Sequence, residues 1–150
     1  MKQTPKEEAI QVKMQPGVIT LEGFLGQDNR HYHDIIFEDE QQLSILGITA
    51  EDIATRMQYF TDKSYEAFSG TITVDEIYEV ETEVVRGKLP CPFSHPGIYR
   101  KTMTVLFNKK NNITVRWTAL NIHLIREHHF FEGIGSKFRL EPNELIKAIY

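Results

Sequence analysis

The residues best equipped for chemistry lie in the second half of the chain. Cys91 and His95 stand four apart in a proline-rich stretch, and His123, Glu127 and His128 follow close together. Thiolate and imidazole are the ligands zinc favours, and a pair from a loop with a pair from a helix is a common way to assemble four. A zinc-like site is therefore the first expectation. If residues 118–131 are helical, His123 and Glu127 share a face at i, i+4, whereas His128 is five on, about 140° round the helix. The expected set is Cys91, His95, His123 and either Glu127 or His128, with His129 further off still.

The spacing matches no standard zinc signature. Cys91 has no second cysteine beside it, which excludes a ribbon or finger. His-Leu-Ile-Arg-Glu-His over 123–128 is neither HExxH nor HxxEH. The alternative to a ligand set is a buried loop cysteine, surface histidines and a His123–Glu127 hydrogen bond. A further alternative is a nucleophilic Cys91 activated by His95 or His123, since a nearby imidazolium favours the thiolate.

Two shorter patterns bear on function. His31-Tyr32-His33 with Glu38 resembles the first metal motif of cupins, in which HxH and a later Glu supply three ligands. The glycine spacing differs and the second motif is missing around Pro96-Gly97. The two histidines would share a face on a strand but point about 200° apart on a helix. Leu46 to Arg56 resembles the turn of a helix-turn-helix, which would imply DNA binding. Glu51 and Asp52 open the would-be recognition helix, however, and Glu38-Asp39-Glu40 precede it, so carboxylates would face phosphates. Two helices packed for structure fit better.

The elements that must position these residues follow from periodicity. After an N-terminal arm, residues 1–16, expected to be loose, Val18–Leu25 reads as a strand. Asn29 to Leu46 reads as a helix stopped by Gly47, although Ile35-Ile36-Phe37 would also suit a strand. A second helix is capped by Thr49, carries Ile53, Met57, Phe60 and Phe68 on its apolar stripe, and ends at Gly70. From Thr71 the period becomes two, predicting a long strand through Val85 with one charged face. Lys88–Gly97 reads as a loop because of its three prolines. Tyr99–Phe107 and Ile113–Thr118 predict a hairpin, followed by the 118–131 helix closed by Gly133. Gly133–Lys137 would be a flexible turn before a last strand, and Pro142 opens a terminal helix. The fold class is thus α+β: an antiparallel sheet of N-terminal strand, long strand and hairpin, with an αα-hairpin insertion and short C-terminal helices.

Composition bounds the rest. The length of 150 residues suits one α+β domain, and 41% hydrophobic with 25% charged residues is a globular balance. No apolar run approaches a membrane span, the lysines of the N-terminus have no apolar stretch behind them, and a lone cysteine fits a reducing compartment. The expected location is the cytoplasm. The net charge of −4 hides a split of −11 over residues 1–85 and +7 over 86–150. Such halves either meet one another, within a chain or between chains of a homo-oligomer, or face different partners. Arg100, Lys101, Lys109, Lys110 and Arg116 on the hairpin, with Tyr99 and Trp117, could serve an anionic ligand or nucleic acid. A pI near 5.9 argues against a dedicated nucleic-acid binder. No P-loop, dinucleotide fingerprint or GxSxG occurs. These residues leave the function at a binding or regulatory domain that could hold zinc. The alternatives are a metal-dependent or cysteine-based enzyme using the same cluster, and an assembly subunit.

Overall fold

The computed structural model describes residues 3–150 apart from 22, 67–69 and 95. Helix α1 (Pro5–Lys13) is followed by turns, then α2 (Tyr32–Leu46) and α3 (Ala50–Glu66). Strands β1 (Ile72–Val74), β2 (Tyr78–Glu83), β5 (Met103–Asn108) and β6 (Ile113–Thr118) form an antiparallel sheet in that spatial order. A separate ribbon pairs β3 (Lys88–Pro90) with β4 (Ile98–Arg100). Helices α4 (Ala119–His128) and α5 (Pro142–Ile149) complete the mixed α+β fold.

The sheet and α3 behave as their periods dictate. Thr49 Oγ1 accepts from the Asp52 amide at 3.1 Å to start α3, and Ile53, Met57 and Phe60 are fully buried against the sheet. Tyr78, Val80, Leu106 and Trp117 meet them from the inward positions of β2, β5 and β6. The one indole is wholly buried, and its Nε1 donates to Thr61 Oγ1 at 2.9 Å, so it is core and not a stacking surface. Phe68 lies outside the described residues. Gly47 ends α2 in the left-handed region at φ 71°, as expected, although α2 starts at Tyr32 with His31 as its cap.

A second core lies on the other side of α4. It joins Ile10 and Met14 of α1, Phe24 and Leu25 of the following turns, Tyr32 and Ile35 of α2, Cys91, Leu120, Leu124 and Phe130. Helix α4 therefore serves both cores, Ile122 and Ile125 facing the sheet and Leu120 and Leu124 facing away from it. A helix apolar on opposite sides is a buried one.

Several expectations about local structure are corrected here. The arm expected to be loose over residues 1–16 contains α1, started by a Thr4–Glu7 capping box and held by Ile10, Met14 and a Gln11 side chain that accepts from the Tyr32 amide at 3.0 Å. Val18–Leu25 forms no strand among its described residues. Gly17, Gly23 and Gly26 take φ of 83°, 70° and 59°, and the Phe24 amide bonds back to Met14 O at 2.9 Å. The chain folds onto α1 because a Cβ on Gly23 would stand 2.6 Å from Met14 O. The long strand from Thr71 is a hairpin, β1–β2, turned at Asp75 and Glu76 with φ of 48° and 68°. Val84 and Val85 lie beyond its end and are exposed.

The prolines of 88–97 do not exclude pairing: Pro90 sits at the end of a two-stranded ribbon, where a missing amide is tolerated. Helix α4 stops at His129, at φ 55°, four residues before Gly133. Gly133–Lys137 is pinned and leads to no strand. The Gly133 amide donates to Phe24 O at 2.8 Å, and a Cβ there would lie 2.4 Å from Leu25 O.

The acidic and basic halves meet inside the chain. Arg139 grips Asp39 with both guanidinium nitrogens at 2.5 and 2.9 Å, His129 lies between Glu40 and Glu51, and Lys109 reaches Glu79. Among the described residues no helix is long and apolar enough to cross a membrane.

Candidate metal centre

Cys91 leaves the ribbon directly after Pro90 and is buried at 3% exposure in the second core. His123 and His128 come from α4. Thr118 and Asn121 start that helix with a reciprocal cap, which fixes where each later side chain points. Cys91 Sγ stands 3.5 Å from His128 Nε2. Taken together, the ligand atoms of Cys91, His123 and His128 all lie within 4.8 Å of one another. A tetrahedral zinc ion requires ligand separations of about 3.3–3.8 Å. The set is one small closure away from that geometry.

The pairing of His123 with His128 is the feature that helical spacing argued against. It works because the two rings lean towards each other, meeting edge to face with centroids 5.2 Å apart. Each ring is held by an aromatic partner. His128 stacks flat on Phe93 at 4.0 Å and 5°, and His123 stacks on Tyr99 at 4.2 Å and 23°. Phe93 is itself braced edge-on by Tyr32 and Phe130. Imidazoles locked by packing need little reorganisation to bind an ion. Phe93 and Tyr99 are thus the orienting residues that spacing did not single out. The available signal was the place of Phe93 two residues after Cys91.

Of the other expected ligands, Glu127 is exposed and stands outside the group of three. His95 lies outside the described residues. His129 points elsewhere, its Nδ1 2.6 Å from Glu40 and its Nε2 2.7 Å from Glu51. The cupin-like trio sits on a helix, as its spacing then forbids: His31 caps α2, His33 pairs with Glu7, and Glu38 pairs with Arg30.

The electrostatics suit a ligand better than a free nucleophile. Burial pushes the Cys91 thiol up, outweighing the Phe93 amide and the Lys13 charge that act the other way. A buried thiol with a raised pKa is a poor nucleophile, whereas a metal removes its proton outright. The loop is tied down near the site, since Lys13 Nζ donates to Ser94 Oγ at 2.7 Å. Comparison of the chain with family models, curated proteins and solved structures gives no match.

Proposed function

We propose that this protein is a metal-binding domain that holds a zinc-like divalent ion through Cys91, His123 and His128. The observation that carries the reading is the convergence of one thiol and two imidazoles, from separate elements, within 4.8 Å. Their chemistry selects zinc over calcium or magnesium, which take oxygen ligands. His95, from the same loop as Cys91, is the natural fourth ligand on sequence grounds; the exposed Glu127 is the weaker choice. A lone cysteine kept reduced fits a cytoplasmic setting. The aromatic bracing gives the site a structural role first: closing the ion would fasten the ribbon loop to α4 and so complete the second core.

The test is metal content and affinity of tag-free protein, by elemental analysis and calorimetry. One zinc per chain is expected, lost in Cys91→Ser and in His128→Ala, weakened in His95→Ala and retained in Glu127→Ala. Sub-stoichiometric zinc with no calorimetric binding would overturn the reading.

A further inference from the structure

The metal centre leaves one large feature unused. A cavity of about 470 Å³ opens where the turn after α1, the ribbon, the ends of β5 and β6, and residues 132–138 come together. Its volume falls in the range of about 300–1,000 Å³ typical of small-molecule clefts. Its walls include Phe24, Leu89, Met103 and Leu120, which are apolar and at least partly buried. Its rim carries Arg100, Lys101, Arg116 and Lys137, all exposed.

The rim is cationic. None of these four cations has a carboxylate within ion-pair distance among the described residues. Lys109, His129 and Arg139 of the same half meet acidic partners, whereas Arg86, Lys88, Lys110 and Arg126 form no ion pair among the described residues either. Here four like charges gather round one opening, where Arg116 and Lys137 flank the Phe138 ring at 5.4 and 5.7 Å. Unpaired cations round a low-dielectric hollow focus a positive potential into it.

The inner wall holds a buried carboxyl group. Glu132 lines the cavity at 5% exposure, with Asn121 Nδ2 donating to Oε2 at 2.8 Å and Ser136 Oγ donating to Oε1 at 2.6 Å. Its backbone takes φ of 67°, a conformation costly for glutamate and held in place by Arg139, whose Nη1 donates to Glu132 O at 2.7 Å. Burial raises its carboxyl to about 7, so that near neutrality it is only partly charged and opposes an anion less than a full carboxylate would.

We propose that this cavity binds a small amphiphilic anion, a single-chain carboxylate or phosphate monoester whose apolar body fills the hollow and whose charged head meets the four rim cations. A purely polar anion would leave the apolar wall unused, and a neutral apolar molecule would leave the cations unused. The site is separate from the metal centre, although α4 serves both, Leu120 lining the cavity one turn before His123.

The test uses calorimetry and amide chemical shifts with decanoate, decyl phosphate, decanol and inorganic phosphate, all as free molecules, and phosphatidylglycerol vesicles as a separate arm. Saturable one-to-one binding of decanoate or decyl phosphate is expected, with decanol about tenfold weaker and inorganic phosphate undetectable. Arg116→Ala with Lys137→Ala, both at exposed positions, is expected to weaken decanoate about tenfold and to leave decanol unchanged. Met103→Trp, which fills the hollow, is expected to weaken both. The rim variant is expected to keep the zinc content of wild type, which separates this proposal from the metal reading. Equal binding of decanol and decanoate, full affinity in the rim variant, or binding to vesicles but not to free decanoate would overturn it.

Discussion

The two cores on either side of α4 are built on different principles. The sheet-side core is made of regular elements whose buried residues recur at periods of two or near four, such as Val80, Leu106 and Trp117 against Ile53, Met57 and Phe60. The other core is made of helix ends, turns and a loop, brought together by glycines and by a cysteine. The first is held by packing and by buried hydrogen bonds such as Trp117 Nε1 to Thr61 Oγ1. The second is the less regular, and both the proposed metal centre and the cavity border it. Rigid layers supply the frame, and both proposed sites lie where the chain is free of the repeat.

The largest expected effect breaks the sheet-side core. Phe60→Ala removes a fully buried ring, and should cost about 3–5 kcal/mol in chemical unfolding, equally with and without zinc. Next comes the close approach that builds the other core. A Cβ on Gly26, at φ 59°, would stand 2.3 Å from the Ser136 amide nitrogen, so Gly26→Ala should cost about 2–3 kcal/mol. It should also lower affinity for decanoate, because Ser136 lines the cavity. A result near zero for Gly26→Ala would show that the second core is looser than described.

The smallest effect concerns the seam between α4 and the two acidic helices. Burial opposes charge on His129, yet its bonds to Glu40 and Glu51 win and raise its pKa above the ordinary value. A raised folded pKa gives stability that is complete below the unfolded value of about 6.5 and is lost as pH rises through the folded one. Wild type should therefore lose a little stability, at most about 1 kcal/mol, between pH 6 and pH 8 relative to His129→Gln. Melting curves at the two pH values check the sign, and an unchanged difference between the proteins would refute the seam.

The same contrast explains what could be read from the residues. Thr49, Gly47 and Pro142 mark helix ends because capping and backbone freedom are local, and the β5–β6 hairpin follows from alternation on either side of Asn108–Asn112. The errors lie where a tertiary contact overrides a local preference. Val18–Leu25 has the side chains of a strand, but three left-handed glycines let it fold onto α1. Thr71–Val85 alternates well enough for one strand, but Asp75 and Glu76 accept the left-handed region and turn it back.

The site divides in the same way. Cys91, His123 and His128 were candidates on residue type. Their convergence was not legible, because it depends on how Phe93 and Tyr99 tilt two rings that helical spacing holds apart. Nor was the cavity legible, since its rim draws Arg100 and Lys101, Arg116, and Lys137 from three separate stretches of chain.

The most direct test of the metal centre is cobalt(II) added to chelator-stripped, tag-free protein and followed by absorption. A thiolate-to-cobalt charge-transfer band with tetrahedral d–d bands, saturating at one equivalent and absent in Cys91→Ser, is the predicted result. No such band in wild type, or the same band in Cys91→Ser, would contradict the assignment of Cys91, His123 and His128 as a metal site.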